Sequence, residues 1–220
     1  MFQKALSNLE KQLVKIYKKS KKDEITLGIA RKYGLEKAIA KFEKELHKAV
    51  RKEEKSFTSN LTQSYLDGYM AETGAKRRPL KKAKETIKYP WSGMNYQQRL
   101  GKNYMEMTYQ MRKAIENTLK SNGSLSEVLA QIKQIEDKFQ YRHNLLVRTE
   151  IRHMHYQGEY DAYVKNGVKL LQYVTVGDHR VCPECRALEE YNEGIYPIEE
   201  APTLPRHPHC RCKEIPYDEK

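Results

Sequence analysis

Cysteine is absent from the first 181 residues of this chain, and all four thiols lie between positions 182 and 212. Random use would scatter them, so the clustering argues against inert buried thiols. Long apolar runs are missing too. None reaches the ~20 residues a membrane helix needs, and a membrane is not among the expected partners. The opening Met1-Phe-Gln-Lys-Ala-Leu lacks the continuous apolar core of an export signal. The expectation is a protein made in a reducing compartment, where clustered cysteines more often hold a metal than form disulfides. No internal repeat interrupts the chain.

Acidic residues are too few to balance the basic ones, at 29 Asp and Glu against 41 Lys and Arg, for a net charge of +12. The deficit is N-terminal. Residues 1–88 carry 23 basic against 11 acidic side chains, residues 89–177 carry 12 against 8, and residues 178–220 carry 6 against 10. Neutralising phosphates supplies much of the affinity for nucleic acid. A DNA or partner surface is therefore expected in the N-terminal half, with Lys76, Arg77, Arg78, Lys81 and Lys82 as candidate contacts. The acidic, cysteine-bearing end is expected to be a structural clasp, since a DNA-reading zinc module would need the opposite local charge. The plainer reading of the N-terminal charge is a solvated helix face, and it is preferred.

What the chain does contain is helical periodicity. Phe2, Leu6, Leu9, Leu13 and Ile16 recur at steps of three and four, and the run Lys18 to Lys22 ends that stripe. Leu35, Ile39, Phe42, Leu46 and Val50 form a second stripe that can continue through Phe57, Leu61, Tyr65 and Tyr69. Gly74 to Lys84 reads as a basic, proline-broken connection. After a non-helical lead-in at Tyr89 to Gly93, whose Trp91 is expected to anchor one end of the core, Leu100 to Leu119 repeat the pattern. Asn122-Gly123 stops that helix, and Ser124 to Glu127 has capping-box spacing for the next, with Val128, Leu129, Ile132 and Ile135 as its buried face. A break is expected near Gln140, then a further helix to Lys165 with a left-handed stop at Asn166-Gly167. Lys169 to Val176 reads as a strand, with short strands around 195–198 and 212–216.

The fold class expected is mainly α: helical N-terminal and central regions, with a small α+β C-terminal module stabilised by zinc. The division expected is a basic helical region at 1–75, a basic linker at 76–89, and a domain at 90–220 whose metal-binding module occupies about 169–216.

Cys182-Pro-Glu-Cys185 and His207-Pro-His209-Cys210-Arg-Cys212 supply two close-spaced pairs of soft ligands, as a tetrahedral zinc site requires. Cys182, Cys185 and Cys210 are three candidate ligands, and Cys212 or His207 is the fourth, with Cys212 slightly favoured because thiolates bind zinc strongly. His209 is expected to face solvent. Such a metal would replace a hydrophobic core in a segment too short and polar to fold alone. Upstream, Arg148, Arg152, His155 and Glu159 form a polar stripe on a helix, with Asp178 and the loop to Cys182 as expected partners. Arg211 alternates away from its neighbouring ligands and is expected to pair with Glu150 or Asp178.

The order Pro-Trp, helical hairpin, Arg148-Thr149-Glu150, strand, Gly-Asp178-His-Arg-Val-Cys182-Pro-Glu-Cys185 and Pro205-Arg-His207-Pro208-His-Cys210-Arg211-Cys212 resembles the phage Mu F-like head morphogenesis family of minor capsid proteins. The resemblance spans roughly Pro90 to Pro216. One departure is that Leu188 is followed by Glu189, Glu190 and Tyr191, with glycine delayed to Gly194. The resemblance implies a virion component made in the bacterial cytoplasm. It would act in procapsid assembly near the portal and in DNA packaging or ejection, with portal and capsid or scaffold proteins as partners. Two readings compete with it. One is a zinc hydrolase or nuclease using Glu150, His155 and Asp178, disfavoured because five or six soft ligands close a metal site that catalysis needs open. The other is a zinc-containing DNA-binding protein.

Overall fold

A computed structural model describes residues 2–75 and 78–218. The chain is mainly helical, with one small antiparallel sheet near its C-terminus. It forms two compact units, each discontinuous in sequence: residues 1–56 with 97–143, and residues 57–96 with 144–220. These boundaries differ from the sequential division that the sequence suggests.

The first unit is built on α1 (Phe2–Ser20), α2 (Leu27–Lys32) and portions of α3 (Leu35–Thr73), α5 (Tyr96–Lys120) and α6 (Leu125–Lys165). The stripe of α1 is buried as its spacing requires, with Ala5 and Tyr17 added to it. Each large apolar side chain removed from water contributes roughly 1.5–3 kcal/mol, so these stripes hold the helices together. Tyr17 donates its hydroxyl proton to the Gly123 carbonyl at 2.7 Å, fastening the end of α1 to the turn before α6. That turn has left-handed Asn122, and the capping box is formed: Ser124 N–H donates to Glu127 Oε2 at 2.7 Å and Glu127 N–H to Ser124 Oγ at 3.3 Å. The short α2 has no apolar stripe to announce it. Its start is set by Thr26, whose side chain accepts from Ile29 N–H.

Two sequence expectations need correction. α6 runs unbroken through Gln140, because residues 136–146 contain neither proline nor glycine and buried Phe139 carries the apolar face onward. The stretch read as a linker contains α4 (Leu80–Thr86), whose Ala83 is fully buried beside Ile87. Lys76 and Arg77 lie outside the described residues, whereas Arg78, Lys81 and Lys82 are exposed.

In the second unit, Phe57, Leu61, Tyr65, Leu66 and Tyr69 of α3 pack with Ala83, Ile87 and Tyr96 and with Met154 and Ala162 of α6. Beyond the Gly167 stop, whose φ is 77°, the chain enters β1 (Leu170–Val174). β1 is the central strand, flanked by β2 (Ile195–Pro197) and β3 (Lys213–Tyr217). Leu171 lies opposite Tyr196 on one side and Pro216 on the other. Alternation along β1 buries Leu171 and Tyr173 on one face. Tyr173 then joins Cys185, Tyr196, Leu204, Cys210 and Cys212 in a compact apolar cluster.

Candidate metal centre

The first cysteine pair sits at the start of α7 (Pro183–Glu190). Cys182 is its N-cap, Pro183 fills the first turn where a missing N–H costs nothing, and Cys182 Sγ accepts from Cys185 N–H at 3.3 Å. One turn of helix therefore presents both sulfurs on the same side. Glu189 anchors the far end of α7 by accepting from Thr175 N–H at 2.8 Å and from Thr175 Oγ1 at 2.6 Å. The delayed glycine has a local consequence. Asn192, Glu193 and Gly194 are all left-handed, and a Cβ on Gly194 would lie 2.6 Å from the Tyr173 carbonyl oxygen, so glycine is needed there to close the connection onto β1.

The second pair is shaped by a turn. Cys210 N–H donates to His207 O at 3.1 Å, with Pro208 and left-handed His209 at the two central positions, the residue pattern of a type II turn. This brings His207 and Cys210 inward and leaves His209 exposed. The donor atoms form two groups, Cys182, Cys185 and His207, and Cys185, Cys210 and Cys212, each within 4.8 Å of one another and sharing Cys185. His207 Nε2 lies 3.2 Å from Cys182 Sγ and 3.3 Å from Cys185 Sγ, and Cys185 Sγ lies 3.9 Å from Cys210 Sγ. The four cysteines are free thiols. A disulfide would bring its sulfurs to about 2.05 Å.

These donors fit a zinc ion on three counts. With Zn–S bonds near 2.3 Å, tetrahedral sulfurs stand about 3.8 Å apart, close to the Cys185–Cys210 separation. His207 Nδ1 is 2.8 Å from the Pro208 carbonyl oxygen, which can only accept, so the proton sits on Nδ1 and the Nε2 lone pair faces the sulfurs. The Tyr173 hydroxyl is buried without a hydrogen-bond partner, in one cluster with Cys185, Cys210 and Cys212, where a thiolate would accept from it.

Local electrostatics divide the thiols. The Cys185 N–H lowers the Cys182 pKa. Burial works against a Cys210 thiolate, but the N–H groups of Cys212 and Arg206 outweigh it and the pKa falls. Burial raises both Cys185 and Cys212. A bound zinc ion would supply the positive charge that holds all of its thiolates deprotonated.

Around the cluster, Arg211 donates to Asp178 through two bonds, of 2.6 and 2.7 Å, and holds its carboxyl well below the usual carboxylate range. Asp178 thus pairs with Arg211 and with Arg180, not with the stripe on α6. Of that stripe, Arg152 donates to the Cys212 carbonyl at 3.2 Å, joined there by the Tyr156 hydroxyl at 2.8 Å. His155 faces Glu159 and the Ser64 carbonyl instead. Glu150 is buried and accepts from Trp91 Nε1 at 3.1 Å, while Trp91 stacks on His153 with ring centroids 4.0 Å apart. Thr149 donates to the Leu145 carbonyl within its own helix. Glu150, His155 and Asp178, the set a zinc hydrolase would need, belong to neither donor group.

Tyr156, Tyr173 and His153 were not legible as site residues. Each occupies an apolar or helical position in sequence, and its polar atom acquires a role only when α6 and β1 are laid against the cysteine loops. Arg148 stands at the rim of the cluster, lining a cavity with Arg152, Arg180 and Arg211.

Among the described residues no helix is long and apolar enough to cross a membrane. No curated protein and no solved structure matches the chain. A family model does match. It covers residues 109–215, from the middle of α5 through both cysteine pairs into β3, and its description is Phage Mu protein F like protein. Over these residues the chain is similar to the Phage Mu protein F-like family.

Proposed function

We propose that this protein is a structural component of phage head morphogenesis. In this reading it joins the procapsid near the portal, contacts portal and capsid or scaffold proteins, and ends in a zinc-clasped module that keeps its shape during assembly and DNA passage. The observation that carries the reading is the family match over residues 109–215, which includes every cysteine and the Arg148-Thr149-Glu150 stretch. The role is non-enzymatic. The clasp draws on Cys182, Cys185 and Cys210, completed by His207 or Cys212, and such a donor set closes the coordination sphere and leaves no corner for substrate. Asp178 and Arg211 act as a strut, tying the loop before Cys182 to the residue between Cys210 and Cys212.

The test is genetic. Disrupting this reading frame in a phage or prophage that carries it should give particles defective in head assembly or DNA delivery. Mass spectrometry of purified wild-type virions should find the chain at low copy number. Complementation should succeed with the wild-type gene and fail with Cys182→Ser. Normal infectious yield from the disrupted phage, or virions that lack the chain, would refute the assignment.

A further inference from the structure

The sequence places an acidic balance around the cysteines, with 6 basic and 10 acidic residues over 178–220. Folding reverses this locally. α6 brings Arg148 and Arg152 alongside Arg180 and Arg211, and these four guanidinium groups, with His207 and His209, line a cavity of about 460 Å³. No carboxylate belongs to its described wall. Of the acidic residues of the segment, Glu184 pairs with Arg206, Glu189 caps Thr175, and Asp178 bridges Arg180 and Arg211.

Two of the arginines are also held in place. Arg152 is fixed by the Cys212 carbonyl and the Tyr156 hydroxyl, and Arg211 by both oxygens of Asp178. Arg148 is exposed and makes no ion pair or hydrogen bond among the described residues. Asp178 offsets only one of these four like charges, and the remainder repel one another unless a further anion joins them. A carboxylate offers two oxygens in one plane, and those of Asp178 are already taken by Arg180 and Arg211. A tetrahedral phosphate, with oxygens pointing several ways, can accept from several forks together.

We propose that this cleft binds a phosphate group, carried either by the backbone of DNA or by a free phosphate compound. The inference does not depend on the head-assembly reading. It rests only on the C-terminal module being folded, because Arg180 and Arg211 are positioned by the cysteine loops.

The test uses the full chain, zinc-replete, with three probes: inorganic phosphate, ATP and a short labelled DNA duplex. Arg148→Glu is compared with Lys44→Glu, the same charge change at an exposed lysine elsewhere in the chain. Binding of at least one phosphate-bearing probe should weaken about tenfold or more in Arg148→Glu, the scale of one lost charge-assisted contact, and change less than about twofold in Lys44→Glu. Arg148→Ala, which merely shortens an exposed side chain, gives the same readout should charge reversal disturb the clasp, and zinc content checks folding in each variant. Duplex binding that inorganic phosphate competes away identifies a backbone phosphate, whereas ATP or phosphate binding without duplex binding identifies a free compound. The proposal fails if no phosphate probe responds to Arg148, or if acetate binds as tightly as phosphate.

Discussion

Gly68 of α3 and Gly158 of α6 face each other at a close helix crossing within the second unit. A Cβ on Gly158 would stand 2.0 Å from the Tyr65 carbonyl oxygen, and one on Gly68 would stand 2.2 Å from the His155 carbonyl oxygen. Both obstacles are backbone and cannot swing aside. Alanine is the better helix former by roughly 1 kcal/mol, but overpacking against fixed backbone costs about 1–3 kcal/mol or more. The clash should win. Gly158→Ala is expected to lower the thermal midpoint by several degrees, read by circular dichroism at 222 nm. An unchanged or raised midpoint would show that the crossing can open.

The clasp predicts a metal content and a division of labour among its residues. Purified protein should carry about one zinc per chain, and a strong chelator should unfold the module around β1 to β3 while most helix signal remains. Cys182→Ser and Cys210→Ser should lose the metal. His209→Ala should keep it, because His209 is exposed and turned away at the tip of the Pro208–His209 turn. Metal retained in both serine variants would remove these sulfurs from the ligand set.

Much of the scaffold could be read from the residues because apolar spacing alone specifies it. The stripe from Phe2 to Ile16, the capping box at Ser124 to Glu127, the stop at Asn166-Gly167 and the three strands all follow local rules and all form. What escaped was whatever depends on distant segments. The lack of proline and glycine over residues 136–146 was the one local sign that α6 continues past Gln140, whereas nothing local said that Ala83 would be buried on a short helix within a basic stretch. The cysteine motifs located the cluster. Yet the arginine cleft beside it was invisible, because two of its guanidinium groups come from a helix some thirty positions earlier in the chain.

In the first unit, Glu53 gives a pH-dependent prediction. Burial works against its carboxylate, but hydrogen bonds from His143, at 2.6 Å, and from Tyr104 outweigh that and lower its pKa. A carboxyl group lowered on folding contributes stability that is present above the unfolded value, near 4.3, and is lost as pH falls through the folded one. Urea midpoints should therefore drop below about pH 4.3. Glu53→Gln should destabilise at neutral pH by about 1–3 kcal/mol and flatten the acid limb of the profile. A variant whose midpoint follows the wild type in parallel down to pH 3 would show that Glu53 does not carry the linkage.

The fourth ligand can be decided between His207 and Cys212. Sequence alone slightly favours the thiolate, but the geometry favours the imidazole. With its Nδ1 proton given to the Pro208 carbonyl, His207 turns an unprotonated Nε2 to within 3.2 and 3.3 Å of Cys182 and Cys185. Cys212, by contrast, belongs with Cys185 and Cys210 to the second donor group, which does not include Cys182. His207→Ala should therefore weaken zinc binding by about tenfold or more, of the order seen when a ligand's support is lost, whereas Cys212→Ser should retain stoichiometric metal. Cobalt substituted for zinc gives an independent reading, because the intensity of its sulfur-to-metal charge-transfer bands scales with the number of bound thiolates. Three thiolates in the wild type, unchanged in Cys212→Ser, would fix His207 as the ligand. Four in the wild type, falling to three in Cys212→Ser, would transfer the role to Cys212 and leave His207 as a hydrogen-bonding neighbour of the sulfurs.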